Sequence, residues 1–345
     1  MNQVNPTPRT SANAGVSESI FVAFVLFLTI YYVDQIDESN LFWRAMQDSS
    51  HTLVFFLGTY LSLRCMTALR LFPSFTNGAR IALVLSLSFI AGITIEIVQP
   101  FFGRSASFLD IWYDLLGCTA GALIFYLRVH LPNQERQNHA QEHVSNDHEK
   151  SRSAFKKAGL TLTTLALLSI SCILPAYYSR VLTLQDTAMP VLFNFDADWE
   201  KEFLRLQAGA HLSIVDAPKG WAKHDSKVAK LTLSSQQYPG LTFRDIPQDW
   251  SKYQFLKLEI FSKQNPTNAI TLRIHDQQHN NRYQDRFNLS LKLSAGLNEI
   301  KIPLRNVSLA PTNREMNLQQ IAGMAIFTIK PQSLSSIYLD NIRLE

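Results

Sequence analysis

The sequence predicts an α-helical membrane bundle of about five transmembrane helices, joined to a separate all-β sandwich domain of the jelly-roll type. Two observations predict this architecture. Nearly all the long apolar runs lie in residues 18–180, whereas residues 190–345 alternate apolar and polar residues over short stretches. A chain of 345 residues has room for about two domains. The change in composition places the boundary between them near residue 180.

Five apolar segments approach the roughly 20 residues that a helix needs to cross a bilayer. The first is short and reaches that length only with its flanks. It has no basic region before it and acidic residues after it, so we interpret it as a retained helix and not as a cleaved signal peptide. The second reaches that length if Arg64 extends its charge to the membrane surface. The predicted spans are 20–33, 52–69, 81–98, 111–127 and 158–178.

The distribution of basic residues predicts the orientation, because lysine and arginine favour the cytoplasmic side of a membrane. The loops after the second and fourth spans are basic, whereas the intervening loops carry only Arg44 and Arg104. The N-terminus is therefore expected in the cytoplasm and the β domain outside it, in the periplasm. The predicted segments are a cytoplasmic tail 1–17, a four-helix membrane region 18–130, a cytoplasmic polar linker 131–157, a fifth helix 158–180 and the β domain 190–345.

Polar residues recur at helical spacing around the third and fourth spans. Glu96 and Gln99 are three residues apart and share one helix face. Asp110 and Asp114 lie on one face of the next helix. Arg104 lies on the loop between the third and fourth spans, where it is available as a counter-charge. Charged groups inside a bilayer are costly, so such a cluster is a candidate functional site.

Three further residues extend this predicted cluster. His51 opens the second helix at the same outer level. Gly117 and Gly121 continue the stripe of Asp110 and Asp114, and such a pair of small residues lets a neighbouring helix approach closely. Three interpretations stay open for the cluster: it holds the helices together, it binds a ligand or substrate, or it moves ions or protons.

The spacing of these residues resembles the VanZ-like membrane family over residues 20–128. The resemblance rests on the run from Glu96 to Gly121 and on Asp48-x-x-His51. It implies a bacterial cell-envelope protein, because the family is associated with the envelope and its founding member with glycopeptide resistance. The family usually has asparagine at the position of Asp114. We therefore expect Asp114 to be protonated or paired with Arg104 or His51.

Charge and cysteine content exclude other classes of protein. The net charge is +4, and no basic face is interleaved with aromatic residues, so we expect no nucleic-acid partner. Cys65, Cys118 and Cys172 all lie in apolar segments without metal-ligand spacing. His139 and His143 in the linker are one helical turn apart, but no acidic or cysteine framework completes a metal site. We interpret the linker as a solvated connector.

From Pro190 onward, short strand-like runs alternate with Gly, Pro and Asn breaks, as in a sandwich or jelly roll. Their order, from Phe193-Asn-Phe195 to Tyr338-Leu-Asp340, resembles the galactose-binding-like jelly rolls of carbohydrate-binding modules over residues 190–345. The resemblance implies glycan recognition by aromatic faces and planar polar side chains. The candidates for carbohydrate binding are Trp221, Asp276, Tyr283, Asp285 and Arg286.

The same resemblance implies one candidate metal site. Asp196 and Asp340 lie near the two chain ends, which meet in such folds and often hold a structural calcium ion. Oxygen ligands suit calcium, and we expect no other cofactor. For Trp250 and Tyr253 we favour packing in the core over ligand binding.

We expect a membrane protein whose exported module recognises an envelope glycan or glycolipid, in polysaccharide or glycolipid biology or in antibiotic tolerance. One alternative is a membrane enzyme acting on a lipid-linked substrate through Glu96, Asp110 and Asp114. We favour recognition because the sequence has no nucleophile motif and no phosphate-binding glycine loop. A transporter is the second alternative, and the lack of an inverted repeat disfavours it. The bilayer and the glycan are the expected partners.

Overall fold

A computed structural model describes residues 17, 19–28, 40–102, 107–132, 147–221, 226–266, 268–332 and 335–345. The chain forms two compact units, Met1–Ser179 and Arg180–Glu345. The first is helical and the second is built mainly from β-strands. The prediction of helices followed by an all-β sandwich is therefore confirmed at this level.

Three helices, α2, α3 and α4 below, begin at polar residues that accept a hydrogen bond from the first turn, as N-caps do. Asn40 accepts from the Trp43 amide at 3.2 Å, Thr76 from the Ala79 amide at 3.2 Å, and Ser107 from the Leu109 amide at 3.1 Å. The helices are α1 (Ser19–Leu28), α2 (Leu41–Ala68), α3 (Asn77–Val98), α4 (Phe108–Phe125), α5 (Asp147–Ser171) and α6 (Ile173–Ala188).

Fewer helices than predicted are long and apolar enough to cross a bilayer. Among the described residues, two pass by length and composition, one beginning with α3 and one with α4, and a third passes if the bent pair α5 and α6 is counted as one span. The prediction of five spans is thus reduced to two or three. Charged and polar residues such as Arg44, Asp48 and Arg64 interrupt the apolar runs of α2, and α1 is described over only ten residues.

The predicted span 158–178 is bent instead of straight. The chain turns by about 40° between α5 and α6, at Cys172. Pro175 follows three residues later, and because proline has no backbone N–H, the Ser171 carbonyl loses its usual helical partner. A bend at this position follows from that loss.

Glycine residues bring α4 very close to α2. A Cβ on Gly117 would overlap the backbone oxygen of Thr52, and a Cβ on Gly121 would lie 2.6 Å from the backbone oxygen of Phe56. The Thr52 hydroxyl donates to the Tyr113 carbonyl at 3.1 Å across the same contact. The stripe predicted from the sequence therefore lies where the two helix backbones touch.

Eleven strands in the described part of the second unit form two antiparallel sheets. One sheet has the order β3-β4-β11-β6-β9, with β1 paired to β11, and the other has the order β2-β5-β10-β7-β8. The strands are β1 (Val191–Phe193), β2 (Leu204–Gln207), β3 (His211–Asp216), β4 (Lys227–Leu233), β5 (Gly240–Arg244), β6 (Phe255–Ser262), β7 (Ile270–Asp276), β8 (Phe287–Leu291), β9 (Gly296–Pro303), β10 (Ile321–Thr328) and β11 (Ser335–Leu344).

Alternation along the strands builds the core of the sandwich. In β7, Ile270, Leu272 and Ile274 are buried while Thr271 and Arg273 face outward, which is the two-residue period of a strand. Trp250 is fully buried, and its indole N–H donates to the Pro247 carbonyl at 2.7 Å. The pairing of β1 with β11 brings the two ends of the domain together.

Candidate functional sites

In the helical unit, α3 and α4 bring buried acidic residues to one histidine, His51. His51 lies inside α2 and does not open it as predicted, because α2 already begins at Leu41. His51 Nδ1 lies 3.0 Å from Asp114 Oδ1. One donor atom each from His51, Glu96 and Asp110 also lies within 4.8 Å of the others. Glu96, Asp110 and Asp114 are 5%, 5% and 2% exposed. We call these four residues the carboxylate–histidine cluster.

Each carboxylate of the cluster has an oxygen without a partner among the described residues: Glu96 Oε1, Asp110 Oδ1 and Asp114 Oδ2. Glu96 Oε2 accepts from the Ser107 amide at 2.7 Å, which ties the end of α3 to the start of α4. Gly92 leaves the space that Asp114 Oδ2 occupies, because a Cβ there would overlap that oxygen. The hydrogen bond from Ser107 and the space beside Gly92 therefore fix the positions of Glu96 and Asp114, while one oxygen of each carboxylate has no hydrogen-bond partner among the described residues.

Two other residues of the predicted cluster are not among these four. Gln99 is half-buried at the start of the 3-10 turn Gln99–Phe102. Arg104, the expected counter-charge, lies outside the described residues, as do His139 and His143 of the linker. Of the two partners named for Asp114, the structure describes the pairing with His51.

In the β unit, the two calcium candidates lie beside a third carboxylate, Glu200, that the sequence did not single out. Asp196 Oδ1 accepts from the Lys227 amide at 2.8 Å. Asp340 is buried, and its Oδ1 accepts from the Asn341 amide at 2.7 Å. Glu200 Oε2 accepts from the amides of Asn194 and Phe195 at 3.2 and 2.6 Å. Calcium at this end of the sandwich stays a prediction.

Burial raises the pKa of Glu200 to about 7, and the charges of Asp196 and Asp340 add to the rise. Its pKa in the unfolded chain is near 4.5. A group with a raised pKa in the folded state contributes stability below its unfolded pKa and loses it as the pH rises through its folded pKa. We therefore expect the free energy of unfolding of the β unit to fall by up to about 3 kcal/mol between pH 4.5 and pH 8.

Pulse proteolysis of the full-length protein in urea, read on the β unit, measures this change. In Glu200→Gln, which keeps an acceptor for both amides, the fall with pH should disappear. Added calcium should raise the stability of the wild-type unit at pH 8 if the three carboxylates bind the ion. An unchanged pH slope in Glu200→Gln would contradict the assignment to this residue.

Two of the carbohydrate candidates, Asp276 and Asp285, bind Arg314 and are not available to a ligand at the surface. Arg314 donates from both Nη atoms to the two oxygens of Asp276, at 2.6 and 2.7 Å, and from Nε to Asp285 at 2.6 Å. The Asp276 side chain is fully buried and also accepts from the Asn317 amide at 2.8 Å. This arrangement fastens the loop after β7 to the loop before β10.

The pKa values in this arrangement describe a stable ion pair. Burial opposes ionisation of Asp276, but the hydrogen bonds from Arg314 and Asn317 outweigh it and keep the pKa of Asp276 below its ordinary value. The hydrogen bond from Arg314, followed by that from the Asn280 amide, lowers the pKa of Asp285 to about 2. Both carboxylates are therefore charged at neutral pH, and their acceptors are already occupied.

Trp221 lies in the hydrophobic core. It is 5% exposed and stacks on Phe261 with ring centroids 5.6 Å apart and an interplanar angle of 5°. Val228 and Tyr338 complete the cluster. Since its ring faces are covered, we withdraw Trp221 from the set of candidate binding residues.

The other two candidates, Tyr283 and Arg286, border a groove on the outer face of the sheet β2-β5-β10-β7-β8. Its volume is about 710 Å³. The Arg286 guanidinium lies 5.4 Å from the centre of the Tyr283 ring and donates from Nε to Asn288 Oδ1 at 3.0 Å. We call it the sheet groove; among the residues that line it are Tyr238, Arg273, Tyr283, Arg286, Asn288 and Phe327.

The sheet groove combines exposed rings with positive charge. Tyr283 and Tyr238 are 67% and 47% exposed, and Tyr238 meets Phe327 edge to face at 6.1 Å. Arg273 rises from the middle of β7, and its Nε has no partner among the described residues. Burial, and then the charge of Arg286, lowers the pKa of Arg273. No carboxylate is among the described residues that line the sheet groove.

His275 follows Arg273 on the same face of β7. Burial lowers the pKa of His275 to about 4, and the Arg273 charge adds to the effect, so the imidazole is neutral at physiological pH. Its Nδ1 has no partner among the described residues. On this face of β7, one guanidinium nitrogen and one ring nitrogen are therefore buried without a hydrogen-bond partner among the described residues.

Sequence reasoning missed most of the sheet groove. Arg273 and Thr271 alternate with buried residues in β7, a signal that identifies outward positions but not a shared surface. Tyr238 and Phe327 come from a loop and from a strand far apart in sequence. Their proximity depends on the pairing of β10 with β5 and β7, which only the fold reveals.

No protein-family model matches this sequence, and no curated protein matches it. The VanZ-like resemblance therefore rests on the residues alone and stays a prediction.

Solved structures with a similar fold include carbohydrate-binding modules. A family 11 carbohydrate-binding module of the cellulosomal cellulase Lic26A-Cel5E of Clostridium thermocellum is 16% identical over 41% of this chain and 85% of its own, with a TM-score of 0.29. A module described as specific for non-crystalline cellulose, CBM28, is 16% identical over 46% and 94%, with a TM-score of 0.32. An exo-beta-agarase is 21% identical, with a TM-score of 0.37, over 45% of this chain.

This chain covers only 24% of the length of that agarase. The ligands that these descriptions name belong to those proteins.

Proposed function

We propose that this chain is a membrane-anchored protein of the bacterial cell envelope whose β unit binds an acidic glycan in the sheet groove. The observation that carries the proposal is that exposed aromatic rings and two arginines line that groove, with no carboxylate among the described residues that line it. Ligand sites of this kind are mostly apolar clefts with a few convergent polar groups.

The aromatic rings suit the apolar faces of a sugar. Tyr238, Tyr283 and Phe327 present ring area that costs little conformational entropy to order. Asn288 and the outward serine of β8, Ser290, supply hydrogen-bond donors and acceptors for hydroxyl groups. A flat, polar molecule with apolar faces, such as an oligosaccharide, matches this mixture better than a purely apolar ligand does.

The arginines favour an acidic glycan over a neutral one. Arg273 and Arg286 both line the sheet groove and repel each other as like charges, and a uronate carboxylate or a sulfate would relieve that repulsion. Guanidinium groups bind such planar anions through paired, charge-assisted hydrogen bonds. Both guanidinium groups belong to residues that line the sheet groove.

The helical unit supports a membrane anchor. The most apolar part of α3 is only 17% buried within the structure, and outward residues such as Leu87, Ile90 and Ile97 are large and apolar. Exposed apolar surface on this scale needs an apolar surrounding. With three spans, which are those that begin with α3 and α4 and the bent pair α5 and α6, the distribution of basic residues supports a cytoplasmic N-terminus and a β unit on the periplasmic side of the inner membrane.

The resemblance of residues 20–128 to VanZ-like proteins supports a role in envelope polysaccharide or glycolipid biology, or in antibiotic tolerance. In this proposal the helical unit acts on, or responds to, the envelope component that the β unit recognises.

A glycan array probed with the full-length protein in detergent tests the ligand class. We expect binding to uronate-containing or sulfated glycans, with affinity falling as salt rises. Arg273→Ala and Tyr283→Ala should each lower affinity by about 10- to 100-fold, because a hydrogen bond to a charged group contributes roughly 1.5–3 kcal/mol and a central aromatic contact a similar amount.

The matched controls are Arg244→Ala and Tyr253→Ala, which remove the same residue types outside the residues that line the sheet groove. Both should bind like the wild type. Equal binding of neutral and acidic glycans would overturn the acidic preference. Unchanged binding in the groove variants would overturn the site, and no binding to any glycan would overturn the proposal.

A further inference from the structure

We propose that the carboxylate–histidine cluster of the helical unit is a binding site for one divalent transition-metal ion of the zinc class. His51, Glu96 and Asp110 are the ligands, and Asp114 is a positioning residue that acts through His51. The proposal concerns the helical unit by itself and does not depend on glycan binding by the β unit.

The first argument is geometric. One donor atom from each of His51, Glu96 and Asp110 already lies within 4.8 Å of the other two. Ligands of one zinc ion bind at about 2.0–2.2 Å and therefore stand roughly 3–4 Å apart. Side-chain rotation that draws the donors inward by about one ångström completes the site, with no change of backbone.

The second argument is the unused acceptors. Glu96 Oε1 and Asp110 Oδ1 belong to side chains of residues that are only 5% exposed, and neither has a hydrogen-bond partner among the described residues. Buried carboxylate oxygens are normally satisfied, because leaving one without a partner costs free energy. A cation between the two carboxylates would satisfy both oxygens at once.

The third argument is the orientation of the histidine. His51 Nδ1 is hydrogen-bonded to Asp114 at 3.0 Å, which leaves Nε2 as the nitrogen that is available to an ion. Metal-binding histidines commonly donate their other ring N–H to a carboxylate in this way, because the contact fixes the tautomer and the direction of the ring. Gly92 preserves the space that the Asp114 carboxylate needs.

The ligand set selects the class of metal. Calcium and magnesium prefer oxygen ligands alone, whereas imidazole nitrogen with carboxylate oxygen suits zinc and its first-row neighbours. Three protein ligands leave a coordination position open. The charge fits as well: a doubly positive ion offsets carboxylates that would otherwise repel one another in a poorly solvated site.

Metal analysis of the full-length protein, purified in detergent without chelator, tests the proposal. We expect about one zinc ion per chain. After removal of the metal, titration with Co²⁺ should produce the visible absorption of a cobalt ion bound by nitrogen and oxygen. His51→Ala, Glu96→Gln and Asp110→Asn should each weaken cobalt binding by at least about tenfold, and Asp114→Asn by about 10- to 100-fold through the orientation of His51.

Glu259→Gln is the matched control, since Glu259 is a half-buried carboxylate of β6 outside both candidate metal sites; its zinc content and cobalt affinity should equal those of the wild type. The wild-type titration keeps the test decisive even if a variant fails to fold. A wild-type protein that neither retains zinc nor binds Co²⁺ would overturn the proposal, as would equal affinity in all the cluster variants.

Discussion

Arg314→Ala should destabilise the β unit by about 3–5 kcal/mol, the usual cost of removing one partner from a buried ion pair. The Asp276 side chain is fully buried and receives both Nη groups of Arg314. Without the guanidinium, Asp276 loses both charge-assisted hydrogen bonds and keeps that from the Asn317 amide. The negative charge of Asp276 is then buried without a positive partner. The loop after β7 and the loop before β10 are no longer connected through Arg314.

Urea unfolding of the full-length protein, read on the β unit by pulse proteolysis, measures the loss. In Arg314→Ala combined with Asp276→Asn, the stranded charge is gone while an acceptor for the Asn317 amide remains. The double variant should therefore be more stable than the single one. Arg343→Ala is the matched control, because its bridge to Glu345 is partly exposed and should contribute less than about 1 kcal/mol.

The same ion pair predicts a response to acid. The pKa values of Asp276 and Asp285 lie below their ordinary values, so their stabilising contribution is present above about pH 4 and is lost as the pH falls through the folded-state values. In Arg314→Ala this acid-dependent loss should be smaller. If Arg314→Ala is as stable as Arg343→Ala, the bridging role of Arg314 is wrong.

Gly117→Val should separate α4 from α2 and cost about 3 kcal/mol, the upper end of the usual range for overpacking a core. A Cβ at this position would overlap the Thr52 backbone oxygen and come within 2.9 Å of the Phe56 amide nitrogen. Backbone atoms cannot rotate away as a side chain can. The two helices must therefore move apart, and the contact between Thr52 and Tyr113 is lost with them.

Gly58→Val is the control, because Gly58 lies in α2 and a Cβ there has no neighbour within 4 Å. Both variants replace glycine by valine inside a helix, so the change in helix propensity is the same. The difference between their unfolding midpoints therefore reports the contact between α4 and α2 alone. Thermal unfolding of the full-length protein in detergent, followed by size-exclusion chromatography, provides the measurement. Equal midpoints for the two variants would show that α4 and α2 do not pack through Gly117.

Residue periodicity was enough to predict the two-part architecture. The two-residue alternation of Leu256, Leu258 and Ile260 identifies a half-buried strand, and β6 contains all three in its buried face. The count of spans was less predictable. Apolar length alone does not say whether α2, with Arg44 and Arg64 in it, is mainly a membrane span or mainly a packing partner for α4.

Sites were harder to predict than elements, because a site depends on which side chains meet. The stripe of Asp110, Asp114 and Gly117 was visible from helical spacing. The proximity of His51 to Asp114 was only one of two pairings that the sequence allowed. The sequence also indicated no strong metal set, since His51, Glu96 and Asp110 belong to different helices and have no common spacing.

The same limit applies to the β unit. Five residues were selected by type, yet Trp221 packs in the core, and Asp276 and Asp285 hold Arg314. A charged or aromatic residue in a β-rich sequence does not reveal whether its partner is a ligand or another residue of the chain. Only Tyr283 and Arg286 remain, and the sheet groove adds Arg273, Tyr238 and Phe327 to them.

Binding of a labelled acidic oligosaccharide to sealed membrane vesicles that carry the full-length protein tests the central claim most directly. The probe is the acidic glycan with the highest affinity on the array, and the vesicles are prepared in both orientations. We predict that right-side-out vesicles bind the probe, that inside-out vesicles do not, and that Arg273→Ala and Tyr283→Ala abolish the signal at equal protein abundance. Binding that is confined to inside-out vesicles, or that persists in both groove variants, would contradict the account.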